Sequence, residues 1–131
     1  MGRAQAGASQ AITQFFFDNN DFLRFRDAAA KAGIDLPIHP GVLPVENFQK
    51  MRNFAARCGA RVPDWMGEAF AAADTPEAAQ DLSVRLAVEQ CEALRAEGVR
   101  HFHLYTLNNP ELPFAVCRGL GFDRRAARAA E

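Results

Sequence analysis

The chain carries no Gly-rich phosphate loop, no Cys-x-x-Cys pair and no nucleophile elbow. The local signatures of nucleotide cradling, dithiol exchange and serine-hydrolase chemistry are therefore missing. Its three cysteines, Cys58, Cys91 and Cys117, are far apart and odd in number. They read as reduced thiols of a cytoplasmic protein, not as a disulfide framework. Neither sign of charge dominates: the formal net charge is -1, which gives no basic footprint for nucleic acid. No apolar run is long enough to span a bilayer. Met1 to Gln10 is Ala/Gly-rich with Arg3 as its one charge, and it lacks the apolar core of a signal peptide. Internal repeats, low-complexity linkers and an internal domain boundary are absent as well.

What is present is globular. The composition is 49% hydrophobic and 24% charged, and 131 residues can enclose a real core. Strand-like and helix-like segments alternate. Met1 to Ser9 looks like the end of a helix stopped at Gly7. Ala11 to Phe17 is a nearly continuous apolar run, as expected of a strand buried on both faces. Asn19, Asn20 and Asp21 offer caps for a helix with Phe22, Phe25, Ala29 and Ala32 at helical spacing, ended by Gly33. Leu36 to His39 reads as a short strand, weakened by Pro37. Val45 to Cys58 reads as a helix with Phe48, Met51, Ala55 and Cys58 on one stripe.

Pro63 to Phe70 predicts a short extra helix containing Trp65, whose simplest role is core packing. Asp74-Thr75-Pro76-Glu77 opens a longer helix, with proline where its missing N–H costs nothing. Val84, Ala87, Val88, Cys91 and Leu94 form its stripe and Gly98 ends it. His101 to Thr106 predicts a last strand and Leu112 to Leu120 a last helix, before a charged, alanine-rich tail over 123–131. This order argues for an α/β fold of parallel βαβ units.

Three segments carry most of the information. Ile12-Thr13-Gln14-Phe15-Phe16-Phe17-Asp18, Pro40-Gly41-Val42-Leu43-Pro44 and Phe102-His103-Leu104-Tyr105-Thr106-Leu107-Asn108 each read as a strand delivering polar groups to its C-terminal end. Barrel enzymes place ligand-binding residues in that way. In this order, over roughly Ala6 to Phe122, the segments resemble strands six to eight of the flavin-dependent methylenetetrahydrofolate reductases. The resemblance implies the C-terminal part of a (β/α)8 barrel, truncated, since a whole barrel takes about 250 residues. It implies FAD as cofactor, NADH or NADPH as reductant and 5,10-methylenetetrahydrofolate as substrate, giving 5-methyltetrahydrofolate. The family's general acid lies on the first strand and its main flavin-binding segments on the third to fifth. None of these has a counterpart here, so the chain supplies at most the folate side of the site and is expected to be inactive alone.

Residue by residue, the resemblance assigns Gln14 to folate contact. The residues themselves leave a core amide bonded to neighbouring backbone equally open, because a buried unpaired amide costs about 1–3 kcal/mol and must find some partner. Phe54 matches an aromatic that packs on bound substrate or nicotinamide nucleotide, against the plain reading of a packing phenylalanine. Lys50 stands where the family commonly has a glutamine, with Gln49 one position away; it reads as a contact to the glutamate tail of folate or as a solvated helix lysine. Asn109 replaces a common arginine as a candidate folate contact, and Arg3 falls near the flavin-phosphate position. His101 and His103 form a His-x-His pair on one strand face, which also opens the metal sites of some barrel hydrolases, although further ligands are not evident. His103 matches a family histidine with a packing or supporting role. Two rival readings follow: a non-catalytic module that completes a barrel with another chain, and a fragment of a metal-dependent hydrolase. A partial parallel sheet with open edges predicts self-association.

Overall fold

A computed structural model of the chain describes residues 10–106 and 111–121. They form β1 (Ala11–Phe15), α1 (Asn19–Lys31), β2 (Ile38–Val42), α2 (Phe48–Cys58), α3 (Asp64–Ala72), α4 (Pro76–Ala96), β3 (His103–Leu104) and α5 (Glu111–Gly119). The strands are parallel in the order β1-β2-β3. The arrangement is the expected α/β one and is consistent with part of a TIM barrel. The expected first helix and the charged tail lie outside the described residues. Among the described residues no helix is long and apolar enough to cross a membrane.

Local chemistry sets most boundaries. Asp18, one residue earlier than expected, caps α1 by accepting from the Asn20 N–H at 2.9 Å. Asn47 caps α2 through the Lys50 N–H, so this helix begins at Phe48 and not at Val45. Thr75 caps α4 through the Ala78 N–H, with Pro76 in the first turn as its sequence predicts. Gly59 closes α2 at a φ of 72°, a left-handed conformation that favours glycine.

The strands depart from expectation in three ways. β1 ends at Phe15, and alternate residues remain half-exposed, so it is not buried on both faces. β2 is displaced from Leu36–His39 to Ile38–Val42 and carries Pro40 in its interior. The ladder tolerates this because the β1–β2 register shifts between Ile12 and Phe15. There the Gly41 N–H bonds the Thr13 hydroxyl at 3.0 Å instead of a backbone carbonyl. β3 shrinks to two residues, although the Tyr105 N–H still bonds the Val42 carbonyl at 2.9 Å.

Adjacent residues at the three strand ends pack in different clusters. Phe16 joins Phe22 and Leu94, with Ile38 against them. Val42 joins Ala87, Cys91, Val116 and Leu120, with Leu104 against them. Their chain neighbours Phe15, Leu43 and Tyr105 belong instead with Met51, Ala55 and Met66 of α2 and α3. The sheet is thus covered on one face by α1, α4 and α5. Its other face leads towards α2 and α3.

Candidate functional site at the C-terminal edge of the sheet

In parallel α/β structures ligands bind beyond the C-terminal ends of the strands. Here those ends are Phe17–Asn19, Leu43–Val45 and Tyr105–Thr106. A brace holds them in place. Tyr105 donates its hydroxyl to the Thr13 carbonyl at 2.9 Å, with its ring over Gly41. A Cβ on residue 41 would lie 2.6 Å from that ring, so only glycine lets the tyrosine cross β2.

A second tie joins the β1 exit to the loop after α2. Arg61 bonds Asp18 at 2.7 Å and Asp21 at 3.3 Å. The Asn20 N–H holds the Asp18 carboxyl below its ordinary value against the opposing effect of partial burial, and the Arg61 guanidinium adds to the lowering. Sequence reasoning had not singled out Arg61, because a partner 43 residues away leaves no local pattern.

The sequence-predicted residues are dispersed. Gln14 is half-buried and donates from Nε2 to the Cys58 carbonyl at 3.1 Å, so its amide has the backbone partner that the bland reading required. It also lines a cleft of about 560 Å³ on the open side of β1, with Phe22, Phe25, Arg24 and Arg61. Phe54 stacks on Phe15 with ring centroids 5.7 Å apart, as a half-buried part of the α2 cluster. Lys50 is exposed and lines a different cavity of about 270 Å³ between the β2 and β3 ends, with Asn47, Tyr105 and Thr106. Gln49 bonds Asn53 on its own helix. Arg3 and Asn109 lie outside the described residues.

Trp65 corrects an expectation: it is 49% exposed, while Met66, one helical step on, takes the buried position at 2%. His101 and His103 do share a face. His101 meets His39 edge-on at 5.4 Å and His103 meets Tyr105 at 4.6 Å. Among the described residues no set of three or more His, Cys, Asp or Glu side chains could hold a metal ion. Among the described residues the flavin fits no better. The cleft with two guanidiniums has both tied to Asp18 or Asp21, and the cavity with Lys50 has that one cation beside Glu46. Neither offers a cradle for a dinucleotide's phosphates.

The parallel βαβ order defines an α/β unit consistent with part of a TIM barrel. A family model described as methylenetetrahydrofolate reductase matches residues 2–121. The chain belongs to the methylenetetrahydrofolate reductase family. It is 45% identical over 127 residues to the 5,10-methylenetetrahydrofolate reductase of Pectobacterium carotovorum, covering 96% of this chain and 43% of that relative. It is 44% identical over 120 residues to the protein of that name from Escherichia coli, covering 91% and 40%. It is 32% identical to methylenetetrahydrofolate reductase (NADH) 1 of Arabidopsis thaliana, covering 91% and 20%. The chain therefore spans about two fifths of the bacterial relatives.

Proposed function

We propose that this chain forms the folate-binding side of a methylenetetrahydrofolate reductase. FAD would supply the hydride chemistry in the whole enzyme, with NADH or NADPH as reductant and 5,10-methylenetetrahydrofolate reduced to 5-methyltetrahydrofolate. This chain's own task is to bind and orient the folate. The observation that carries the reading is the cleft beside Gln14, in a chain of this family. An amide that offers donor and acceptor lies there beside the rings of Phe15, Phe22 and Phe25. A pterin edge and a benzoyl ring call for those two kinds of group. Gln14 would exchange its bond to the Cys58 carbonyl for one to the pterin. Lys50 is the remaining cation for the glutamate tail, and Phe54 lies next to the cleft through its stack on Phe15. Asn109 and Arg3 are further candidates for folate and flavin contact.

The chain alone is expected to leave FAD fluorescence unquenched and NADH unoxidised. The decisive experiment combines it with the remaining strands of a close relative and replaces Gln14 by Ala. A lost ligand hydrogen bond of about 0.5–1.5 kcal/mol lowers kcat/KM for folate several-fold to about tenfold, with flavin binding unchanged. Phe17→Leu on the same segment controls for packing. If Gln14→Ala instead lowers the melting temperature while folate kinetics hold, the amide serves only the Cys58 carbonyl.

A further inference from the structure

A cavity of about 360 Å³ opens between the β1 exit and helices α3 and α4. Two of its lining side chains, Asn19 and Ser83, carry the buried polar atoms that lack a hydrogen-bond partner among the described residues: Asn19 Oδ1 and Ser83 Oγ. Ser83 is only 2% exposed. The orientation of the Asn19 amide is fixed, because its Nδ2 donates to the Gln90 carbonyl at 3.1 Å. Gln90 is itself anchored by donating to the Phe16 carbonyl at 2.8 Å. Asn19 Oδ1 therefore presents an acceptor and nothing else. Buried polar atoms are rarely left unpaired, so Asn19 Oδ1 calls for a donor and the Ser83 hydroxyl for a partner it can accept from or donate to.

The rest of the wall narrows the donor's chemistry. Phe17, Phe70 and the half-exposed Trp65 offer ring faces, and a cavity of this volume suits one or two fused rings. The charged lining residues are both acids, Asp18 and Glu89. Asp18 is paired with Arg61, whereas Glu89 is in no ion pair among the described residues. An anion would face Asn19 Oδ1 and two carboxylates here, with no cation free to pair with it among the lining residues. We propose that this cavity is a binding site for a small planar aromatic amidine or amino-heterocycle. Its N–H groups would donate to Asn19 Oδ1 and Ser83 Oγ, and its ring would lie among Phe17, Trp65 and Phe70 with the electropositive edge towards Glu89. None of Gln14, Lys50 and Phe54 lines this cavity, so the proposal stands apart from the folate reading.

Trp65 is the single tryptophan of the chain and lines the cavity, which makes it the reporter. Benzamidine, benzoate and benzyl alcohol are titrated into the full chain, following Trp65 emission and its indole N–H resonance. Benzamidine is expected to bind saturably, with benzoate and benzyl alcohol at least about tenfold weaker. Ser83→Ala and Asn19→Ala should each weaken benzamidine several-fold, the loss of one hydrogen bond. Ser83→Ala should leave the melting temperature unchanged or raised, since it removes an unpaired hydroxyl. This keeps the test decisive if Asn19→Ala fails to fold. Three results would overturn the proposal: no saturable change at millimolar benzamidine, as a cavity holding only water would give; benzoate binding as well as benzamidine; or undiminished affinity in Ser83→Ala.

Discussion

Val42 and Leu43 are neighbours in the chain and belong to different halves of the molecule. Val42 packs with Ala87, Cys91 and Val116 under α4 and α5, where water does not reach. Leu43 packs with Phe15, Met51 and Met66, in a cluster that grades outwards into Phe17, Phe54 and Tyr105 and then into the cavities. The first half is closed and apolar, and the thiol inside it is silenced: burial pushes Cys91 up to about 12. The second half is aromatic and hydrogen-bonded, and leads to the chain's histidines on the same sheet face. Volume fixes one side of the sheet. Directional contacts fix the other, and those are the contacts a ligand can replace. Substitutions should therefore separate cleanly, with stability responding on the helix-covered side and pH or ligand response on the other.

The largest expected effect tests the helix-covered side. Leu94 is fully buried against Phe16 and Phe22, so Leu94→Ala removes methyl groups and leaves a void. A loss of about 2–5 kcal/mol is expected in chemical denaturation, with benzamidine affinity per folded molecule unchanged. A loss below about 1 kcal/mol would mean that this cluster collapses around the void and that volume does not govern this side. Gly41→Ala tests the brace on the other side. The new Cβ would press on the Tyr105 ring and on the Thr13 carbonyl, and the carbonyl is backbone with little room to move. Overpacking of this kind costs about 1–3 kcal/mol. The Tyr105 hydroxyl should lose its bond to Thr13, visible as a shifted tyrosine resonance. An unperturbed tyrosine would show that β2 and β3 yield without the brace.

The helix-covered side was also the legible one. The stripe Val84, Ala87, Val88, Cys91 and Leu94 repeats at helical spacing, and a period in the sequence survives into packing because burial is what it encodes. Thr75 and Pro76 likewise placed the start of α4 through contacts three residues apart. The sheet was harder. The strand expected over Leu36–His39 lies instead at Ile38–Val42, where the Gly41 N–H finds the Thr13 hydroxyl, a partner 28 residues away. Core packing is the simplest role for Trp65 in the sequence, yet a helix offers each neighbour a different direction and Met66 takes the buried one. The Gln14 amide was read correctly as needing a partner, while the Cys58 carbonyl, 44 residues on, could not be foreseen. Ser83 did leave a trace: it falls in line with Ala87 and Cys91 on an otherwise apolar stripe. A polar residue out of place there marks the cavity that the motif resemblance passed over.

The smallest effect separates the two sides by pH. His39, on β2, lies against His101 of the neighbouring segment and is hydrogen-bonded through Nε2 to Gln10 Oε1 at 3.0 Å. Partial burial, and secondarily the His101 ring, depress its pKa below the ordinary 6.5. The unfolded chain therefore takes up a proton at this position before the folded chain does. Stability is fully present above pH 6.5 and declines as pH falls from there through the folded-state value. The decline should stay below about 1 kcal/mol, because water still reaches the ring. His39→Gln has no proton to bind and should flatten the denaturation midpoint between about pH 7 and pH 5. Cys91→Ala, on the helix-covered side, should lower the midpoint without altering its slope with pH, since that thiol does not titrate in this range. If the slope survives in His39→Gln, the ring is not the group that couples this face to pH. If instead Cys91→Ala changes the slope, the division between a packed side and a responsive side fails.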